Sequence, residues 1–472
     1  MVVHAVALVL LTGAFLLVGS SPAAEKLNVL FIAVDDLRPE LTCYGVDEMV
    51  TPNFDRLAAS GICFDRAYCQ QAVCGASRLS IMGGLYPLRT REQTYHVRQW
   101  RQRHPDLVTM NRHFRDHGFR TIGLGKIYHE RVGEGADESG WDEWIRVSES
   151  MYADPKNLES KRGFSVHRPE TRLGSFTEAL DVPDEQYADG RRAAKTVERL
   201  RELSTTEERF FLAVGFLKPH LPFVAPKRYW DLYEREAFSM PTNLGSPPGY
   251  PEYAANLTGW ELKFYEGYEG ETPADFSDEL NRRLLHGYAA CVSYIDACLG
   301  RILDVLEKTG LAQNTIVVLW GDHGYRLGEH SSWTKHTNFE VDVRVPLFVR
   351  VPGKVAGETS NSLIELIDLY PTLCELTGIP IPSHCEGKSF AAVVEEPGTK
   401  HRQSAYSAYP AEEGVMEKAA SGMIEGPPSE TPAMGMGHSL RFGNYRYSEW
   451  RAPRGQEVTA AVLTDLAVDP GE

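Results

Sequence analysis

The sequence predicts an α/β protein built on a mostly parallel central sheet, and three observations carry that prediction. Asn28-Val29-Leu30-Phe31-Ile32-Ala33-Val34 is a continuous apolar run, the pattern of a strand buried on both faces. Thr315-Ile316-Val317-Val318-Leu319-Trp320 is a second run of the same kind. Between them, strand-like stretches alternate with amphipathic helical ones, as expected when helices layer over a parallel sheet.

The chain begins with an apolar run from Ala5 to Val18, small residues through Ala23-Ala24, and then Glu25-Lys26. That is the order of a secretory signal peptide over residues 1–24, although Met1-Val2-Val3-His4 lacks the usual basic residue. A single membrane anchor is the other reading. No later run is long and apolar enough to span a bilayer, so the expectation is an exported protein with no stable membrane insertion once the leader is removed.

The first buried strand ends in Asp35-Asp36 and the second in Gly321-Asp322-His323-Gly324. Ligands collect at the carboxyl ends of strands in open α/β sheets, so these two acidic ends are expected to meet. Further strands are expected at Arg120 to Leu124 and Phe210 to Val214, each followed by a polar loop carrying Lys or His. Helices are expected at Asp189 to Leu203 and Asn281 to Glu307. The stretches Tyr152 to Asp184 and Pro241 to Asp275, rich in Pro, Gly and Glu, read as long surface excursions. Leu363 to Leu373 reads as a strand followed by a helix opening near Pro371. Beyond about Pro397 the periodicity weakens, and Tyr445 to Trp450 suggests one strand of a small second domain, α+β in character.

Across 472 residues, 42% hydrophobic and 24% charged, the composition is that of an ordinary globular protein. A formal charge of −16 argues against nucleic acid as a partner and against general polyanion binding, because the long-range field repels both. An anionic substrate therefore needs a local basic site. Arg89, Arg91, His96, Arg98, Arg101, Arg103 and His104, interleaved with Tyr95 and Trp100, supply a candidate. Arg forks pair with carboxylates and sulfates, and Trp100 suits a sugar face; a solvated basic helix face explains the same residues equally well. Of the 8 cysteines none forms a CxxC pair, and Cys374 with Cys385 is the expected disulfide.

Asp35, Asp36 and Asp322 together make a set of hard oxygen donors suited to Ca²⁺ or Mg²⁺. Alone, an Asp-Asp pair is more often a solvated turn; its partnership with a second strand end favours the ligand reading. His323 either joins the metal or hydrogen-bonds a carboxylate. Cys74 sits just before a helix expected to start near Ser77, and helix N-termini favour anions.

Cys74-Gly75-Ala76-Ser77-Arg78 resembles the type I sulfatase signature C-x-P-S-R, with Ala76 in place of the commoner Pro. The runs Asn28 to Pro39 (NVLFIAVDDLRP), Thr51 to Leu57 (TPNFDRL), Gln70 to Arg78 (QQAVCGASR) and Gly125 to His129 (GKIYH) extend the resemblance. So do Phe216 to Phe223 (FLKPHLPF), Trp320 to His330 (WGDHGYRLGEH) and Trp333 to Asn338 (WTKHTN). Over nearly its whole mature length the chain resembles the iduronate-2-sulfatase branch of that family.

The resemblance implies an alkaline phosphatase-like layered fold, with a sulfatase catalytic domain over 25–396 and a small C-terminal domain over 397–472. It implies that a formylglycine-generating maturase oxidises Cys74 to formylglycine (3-oxoalanine), with Arg78 in support. It assigns calcium, ahead of magnesium, to Asp35, Asp36, residue 74, Asp322 and His323. Lys126 and Lys335 are expected on the sulfate oxygens, His220 as acid to the leaving oxygen, and His129 as the base that helps expel sulfate. Arg91, Trp100 and Arg101 are expected to contact substrate, in a segment between Gly84 and Leu107 whose residues diverge from the branch. The substrate is thus a sulfated sugar: iduronate-2-sulfate, or another sulfated uronic acid or polysaccharide residue. The rival readings are a phosphatase or phosphodiesterase of the same superfamily, and a catalytically idle polyanion-binding protein. One N-x-[ST] sequon, Asn256-Leu257-Thr258, is sparse for a lysosomal glycoprotein and tilts the expectation toward a bacterial periplasm or medium. The ending Asp469-Pro470-Gly471-Glu472 comes earlier than in such relatives and reads as a truncated or a short small domain.

Overall fold

A computed structural model describes residues 26–94, 97, 99–129, 137–148, 150–165, 168, 170–257, 259–410, 435–452 and 457–472. The signal-peptide reading of residues 1–24, and Tyr95, His96 and Arg98 of the basic segment, lie outside the described residues. In chain order the strands are β1 (Asn28–Val34), β2 (Ile62–Tyr68), β3 (Arg120–Gly125), β4 (Glu143–Ile145), β5 (Thr177–Glu178), β6 (Phe210–Phe216), β7 (Phe223–Val224), β8 (Thr315–Gly321), β9 (Arg344–Arg350), β10 (Glu358–Ser360), β11 (Ile364–Glu365), β12 (Ala405–Pro410), β13 (Met436–Phe442), β14 (Tyr445–Arg451) and β15 (Val458–Asp465).

β1 explains the layering. Leu30, Ile32 and Val34 enter one core cluster, with Leu284, Ile295 and Leu299 of the long helix Asp278–Lys308 and Ala193 and Leu200 of the helix Ala188–Leu203. Val29, Phe31 and Ala33 enter another, with Leu79 and Met82 of the helix Cys74–Gly83, Phe114 of Met110–Asp116 and Leu373 of Leu369–Thr377. Side chains on a strand alternate between faces, so an uninterrupted apolar run needs helices on both.

The central sheet has the order β10-β2-β9-β8-β1-β6-β3-β4, with β11 also on β2. β9 runs antiparallel to both β2 and β8, and the other pairs are parallel. β1 and β8 are direct neighbours, with Val34 opposite Gly321, so the two acidic strand ends lie side by side as the runs imply. β12 to β15 form a separate antiparallel sheet in sequential order. It docks through Trp450, which meets Tyr250 at 4.5 Å between ring centroids, and through Ser407, whose hydroxyl donates to the Cys69 carbonyl at 2.6 Å.

Several expectations change. The helix expected near Ser77 begins at Cys74, so residue 74 occupies its first turn. The helix expected to open near Pro371 begins at Leu369, after β11 and a short 3-10 turn. The Cys374–Cys385 disulfide is not formed, and all eight cysteines are free; Cys374 is buried in its helix while Cys385 sits in the loop against Gly84. The stretch 241–275 is not merely a surface excursion, since Ala255, Leu262 and Tyr265 are buried in it. In 152–184, Tyr152 and Phe176 are buried, and β5 pairs with β7. No described helix is long and apolar enough to cross a membrane.

Candidate active site

Asp35 and Asp36 follow β1, where strand alternation would point neighbouring side chains apart. Asp36 takes a left-handed conformation, φ 57°, which short polar side chains tolerate and which breaks that alternation. Its backbone N–H donates to Asp322 Oδ1 at 3.1 Å, tying the two strand ends together. Asp322 Oδ1 also accepts from the His323 N–H at 3.0 Å, and Oδ2 accepts from Arg78 Nε at 2.8 Å. Gly324 is required just beyond, because a Cβ there would lie 1.8 Å from the Val341 carbonyl oxygen.

Cys74 faces this floor from its helix N-terminus. Its thiol donates to Asp35 Oδ1 at 3.4 Å, and His323 Nε2 lies 3.1 Å from Sγ. One ligand atom each from Asp35, Asp36, Cys74 and His323 lies within 4.8 Å of all the others, and all four residues are buried. Asp322 stands outside that compact group, its oxygens committed to Arg78 and to backbone amides. His323 Nδ1 faces the Gly324 carbonyl at 2.9 Å and Asp36 Oδ1 at 3.3 Å.

Cations surround the carboxylates. Lys126 Nζ pairs with Asp35, and fully buried Arg78 reaches Asp35 Oδ1 at 3.5 Å as well as the carbonyls of Lys126 and Ile127. Gly125, φ 74°, turns the chain out of β3 to present Lys126. Lys335 Nζ donates to Asp36 Oδ2 at 3.0 Å and to Glu261 Oε2 at 3.2 Å. His220 Nε2 stands 3.1 Å from Glu261 Oε1 and 4.0 Å from Asp36 Oδ2. His129 is half-buried three residues beyond Lys126.

These charges set the ionisation. Burial alone would raise the Asp35 carboxyl, but Lys126, His220, Arg78 and Lys335 hold it well below the usual carboxylate range. Burial lifts Asp36 to about 7 despite Lys335 and His323. Burial, then Asp35, pushes the Cys74 thiol far up, so an unmodified Cys74 is a poor nucleophile. Burial takes His220 down to about 4 and, with Lys126, takes His129 well below the ordinary imidazole value.

The expected sugar contacts are not gathered here. Trp100 is fully buried, its ring stacked on Tyr128 with centroids 5.9 Å apart, and Arg101 covers it at 4.3 Å. Arg101 is further committed to Asp137 Oδ1 at 3.0 Å and to the carbonyls of His104 and Leu107. For Trp100 the expectation is corrected, because its buried ring packs on Tyr128 of the Lys126–His129 loop, whereas Arg101 is half-buried and tied to Asp137. Arg103 and His104 pair with Glu92, whereas Arg91 is exposed. Conversely, Glu261 is a site residue absent from the expectations. Its segment reads as a loop by composition, and the signal that could have marked it is the apolar and aromatic content around it, Leu262 and Tyr265 included. The sequon residue Asn256 donates from Nδ2 to the Lys335 carbonyl at 3.1 Å, so it supports the site loop.

Comparison with known proteins bears on the chemistry. A family model described as Sulfatase matches residues 27–379. The chain is 31% identical to iduronate 2-sulfatase of Homo sapiens, over 91% of this chain and 86% of that one. It is 32% identical to a sulfatase of Formosa agariphila, over 79% and 73% respectively. Among solved structures, a phosphonate monoester hydrolase from Silicibacter pomeroyi aligns with TM-score 0.69 at 22% identity, covering 94% of this chain and 91% of that one. An enzyme in complex with its substrate D-glucosamine-2-N,6-O-disulfate aligns with TM-score 0.71 at 21% identity, covering 94% and 92%. Both share the alkaline phosphatase-like fold expected of the chain.

Proposed function

The chain belongs to the sulfatase family and is a sulfuric ester hydrolase, and from that premise we propose that it acts on a sulfated sugar through a formylglycine made from Cys74, with a calcium ion. The observation that carries the proposal is the convergence of Asp35, Asp36, Cys74 and His323 in one buried cluster ringed by Lys126, Lys335 and His220. The donor set fits a hard cation: buried Asp36 Oδ1 has no hydrogen-bond donor of good geometry, and two carboxylates share the cluster. The soft thiol does not fit, but Sγ of Cys74 stands where an oxygen of the hydrated aldehyde would be. Asp35, Asp36, His323 and that oxygen would hold the ion, with Asp322 orienting Asp36 and Arg78 beside them. A bound cation supplies charge to polarise a sulfate oxygen and to favour ionisation of the hydrate. The hydrate, once formed, supplies the nucleophilic hydroxyl.

The remaining work falls to this chain's own side chains. Lys126 and Lys335, which pair with Asp35 and Asp36, would hold the sulfate oxygens. His220 gives a proton to the leaving sugar oxygen as the S–O bond breaks and its electron pair stays on oxygen. Held low by burial, its ring is raised toward protonation by an arriving anionic sulfate ester. His129, kept neutral, accepts the proton from the second hydroxyl so that sulfate departs. The division into a leader at 1–24, a catalytic domain at 25–396 and a small domain at 397–472, and export with removal of the leader, belong to the same proposal.

The test is mass spectrometry of the peptide containing residue 74 after co-expression with a maturase, alongside sulfate release from sulfated disaccharides. The expected result is conversion of Cys74 together with release. Release by a protein whose residue 74 remains a thiol would overturn the formylglycine reading. Including a phosphate diester in the panel separates the phosphodiesterase alternative.

A further inference from the structure

Glu261 stands apart from every motif that marks the chain as a sulfatase, yet it bridges two of the groups those motifs supply. Its Oε1 is 3.1 Å from His220 Nε2 and its Oε2 accepts from Lys335 Nζ at 3.2 Å, so each carboxylate oxygen has its own partner. On its other side the His220 ring is held by the Leu221 carbonyl, 2.7 Å from Nδ1. The Leu221 carbonyl engages Nδ1 and so sets the plane of the imidazole, which leaves Nε2, beside Glu261, as the nitrogen that faces the site.

The segment that carries Glu261 is anchored. It lies in a 3-10 turn, Trp260–Phe264, followed by buried Tyr265, and Leu262 within the turn is fully buried. The Phe264 carbonyl accepts from the Leu173 N–H, and the Glu266 N–H donates to the Gly174 carbonyl, each at 2.8 Å. A long acidic side chain, 16% exposed, thus projects from a fixed backbone between two cationic donors. Burying a carboxylate is costly unless it is paired, which accounts for the commitment of both oxygens.

Resting on the reading of His220 as the leaving-group acid, we propose that Glu261 is a positioning residue that clamps Lys335 and the Nε2 edge of His220 at a set separation, so that the Nε2 proton it shares is turned over to the leaving oxygen when substrate binds while the ammonium group holds sulfate. A side chain that only stabilised the fold would affect all substrates alike. A clamp on the proton donor matters most when the leaving group needs a proton.

The experiment compares wild type, E261A and E261Q, each with residue 74 converted, on 4-nitrophenyl sulfate and phenyl sulfate. The first releases a stable phenolate and the second a more basic one. E261Q keeps the volume but offers a single oxygen acceptor, and it serves if E261A fails to fold, as judged by thermal melting. The expected result is a kcat loss about tenfold greater on phenyl sulfate than on 4-nitrophenyl sulfate, a fraction of what a general acid contributes. Equal losses on the two esters, or no loss, overturn the clamp while leaving the sulfatase mechanism intact. A converted wild type that hydrolyses neither ester, nor any sulfated disaccharide, overturns the mechanism itself and the clamp with it.

Discussion

The segments 89–104 and 252–265 invert what their compositions suggest. The first is crowded with Arg, His and aromatic residues, the ingredients of a sulfated-sugar site, yet Trp100 is buried, Arg101 is spent on Asp137 and backbone carbonyls, and Arg103 on Glu92. The second belongs to a stretch rich in Pro, Gly and Glu that reads as a surface excursion, yet it sends Glu261 between His220 and Lys335 and sets Asn256 against the Lys335 carbonyl. Composition records which chemistry a segment contains. What the segment does with it depends on which partners the rest of the chain brings within reach.

Substitutions can break or sharpen that contrast. The scale is set by Cys74→Ala, which removes the nucleophile and is expected to cost at least about 10⁴-fold in kcat, with the melting temperature little changed. A loss of only tenfold would mean that residue 74 does not carry the chemistry. Lys335→Ala, which removes the partner shared by Asp36 and Glu261, is expected to cost about 10²–10³-fold in kcat/KM; a smaller loss than that of E261A would reverse the order of dependence drawn here.

Trp100→Ala is expected to act on stability, lowering it by about 3–5 kcal/mol in a denaturant titration, as large buried rings do. Its KM for a sulfated disaccharide should hold among the molecules that remain folded. A raised KM with unchanged stability would return Trp100 to the sugar-binding role. The smallest effect is expected for Arg91→Ala, within about 0.5 kcal/mol in stability because the side chain is exposed. Of the three expected substrate contacts it is the most exposed, so a several-fold rise in KM, read from initial rates, would identify what the basic segment retains of that role.

Much of the site was legible because its floor is carried by local sequence. Asp35, Asp36 and Asp322 sit just beyond apolar runs buried on both faces, and parallel pairing sets Val34 opposite Gly321, so the acidic ends meet. Cys74 and Arg78 share one helix, four residues apart, and so face the floor together. The roles of His323 and Asp322 were less legible. Both lie at the end of β8, but the short contact to Cys74 belongs to His323, while Asp322 is drawn to Arg78 and the amides.

By itself, then, the sequence determined the layered α/β core, the meeting of two acidic strand ends and the cysteine that faces them. A continuous apolar strand and a one-helix motif are short-range signals that hold whatever surrounds them. Only the tertiary structure decided that Trp100 packs on the Lys126–His129 loop and that Glu261 grips His220 and Lys335. A loop side chain takes its direction from contacts far away in sequence, and Glu261 lies 41 residues from one partner and 74 from the other.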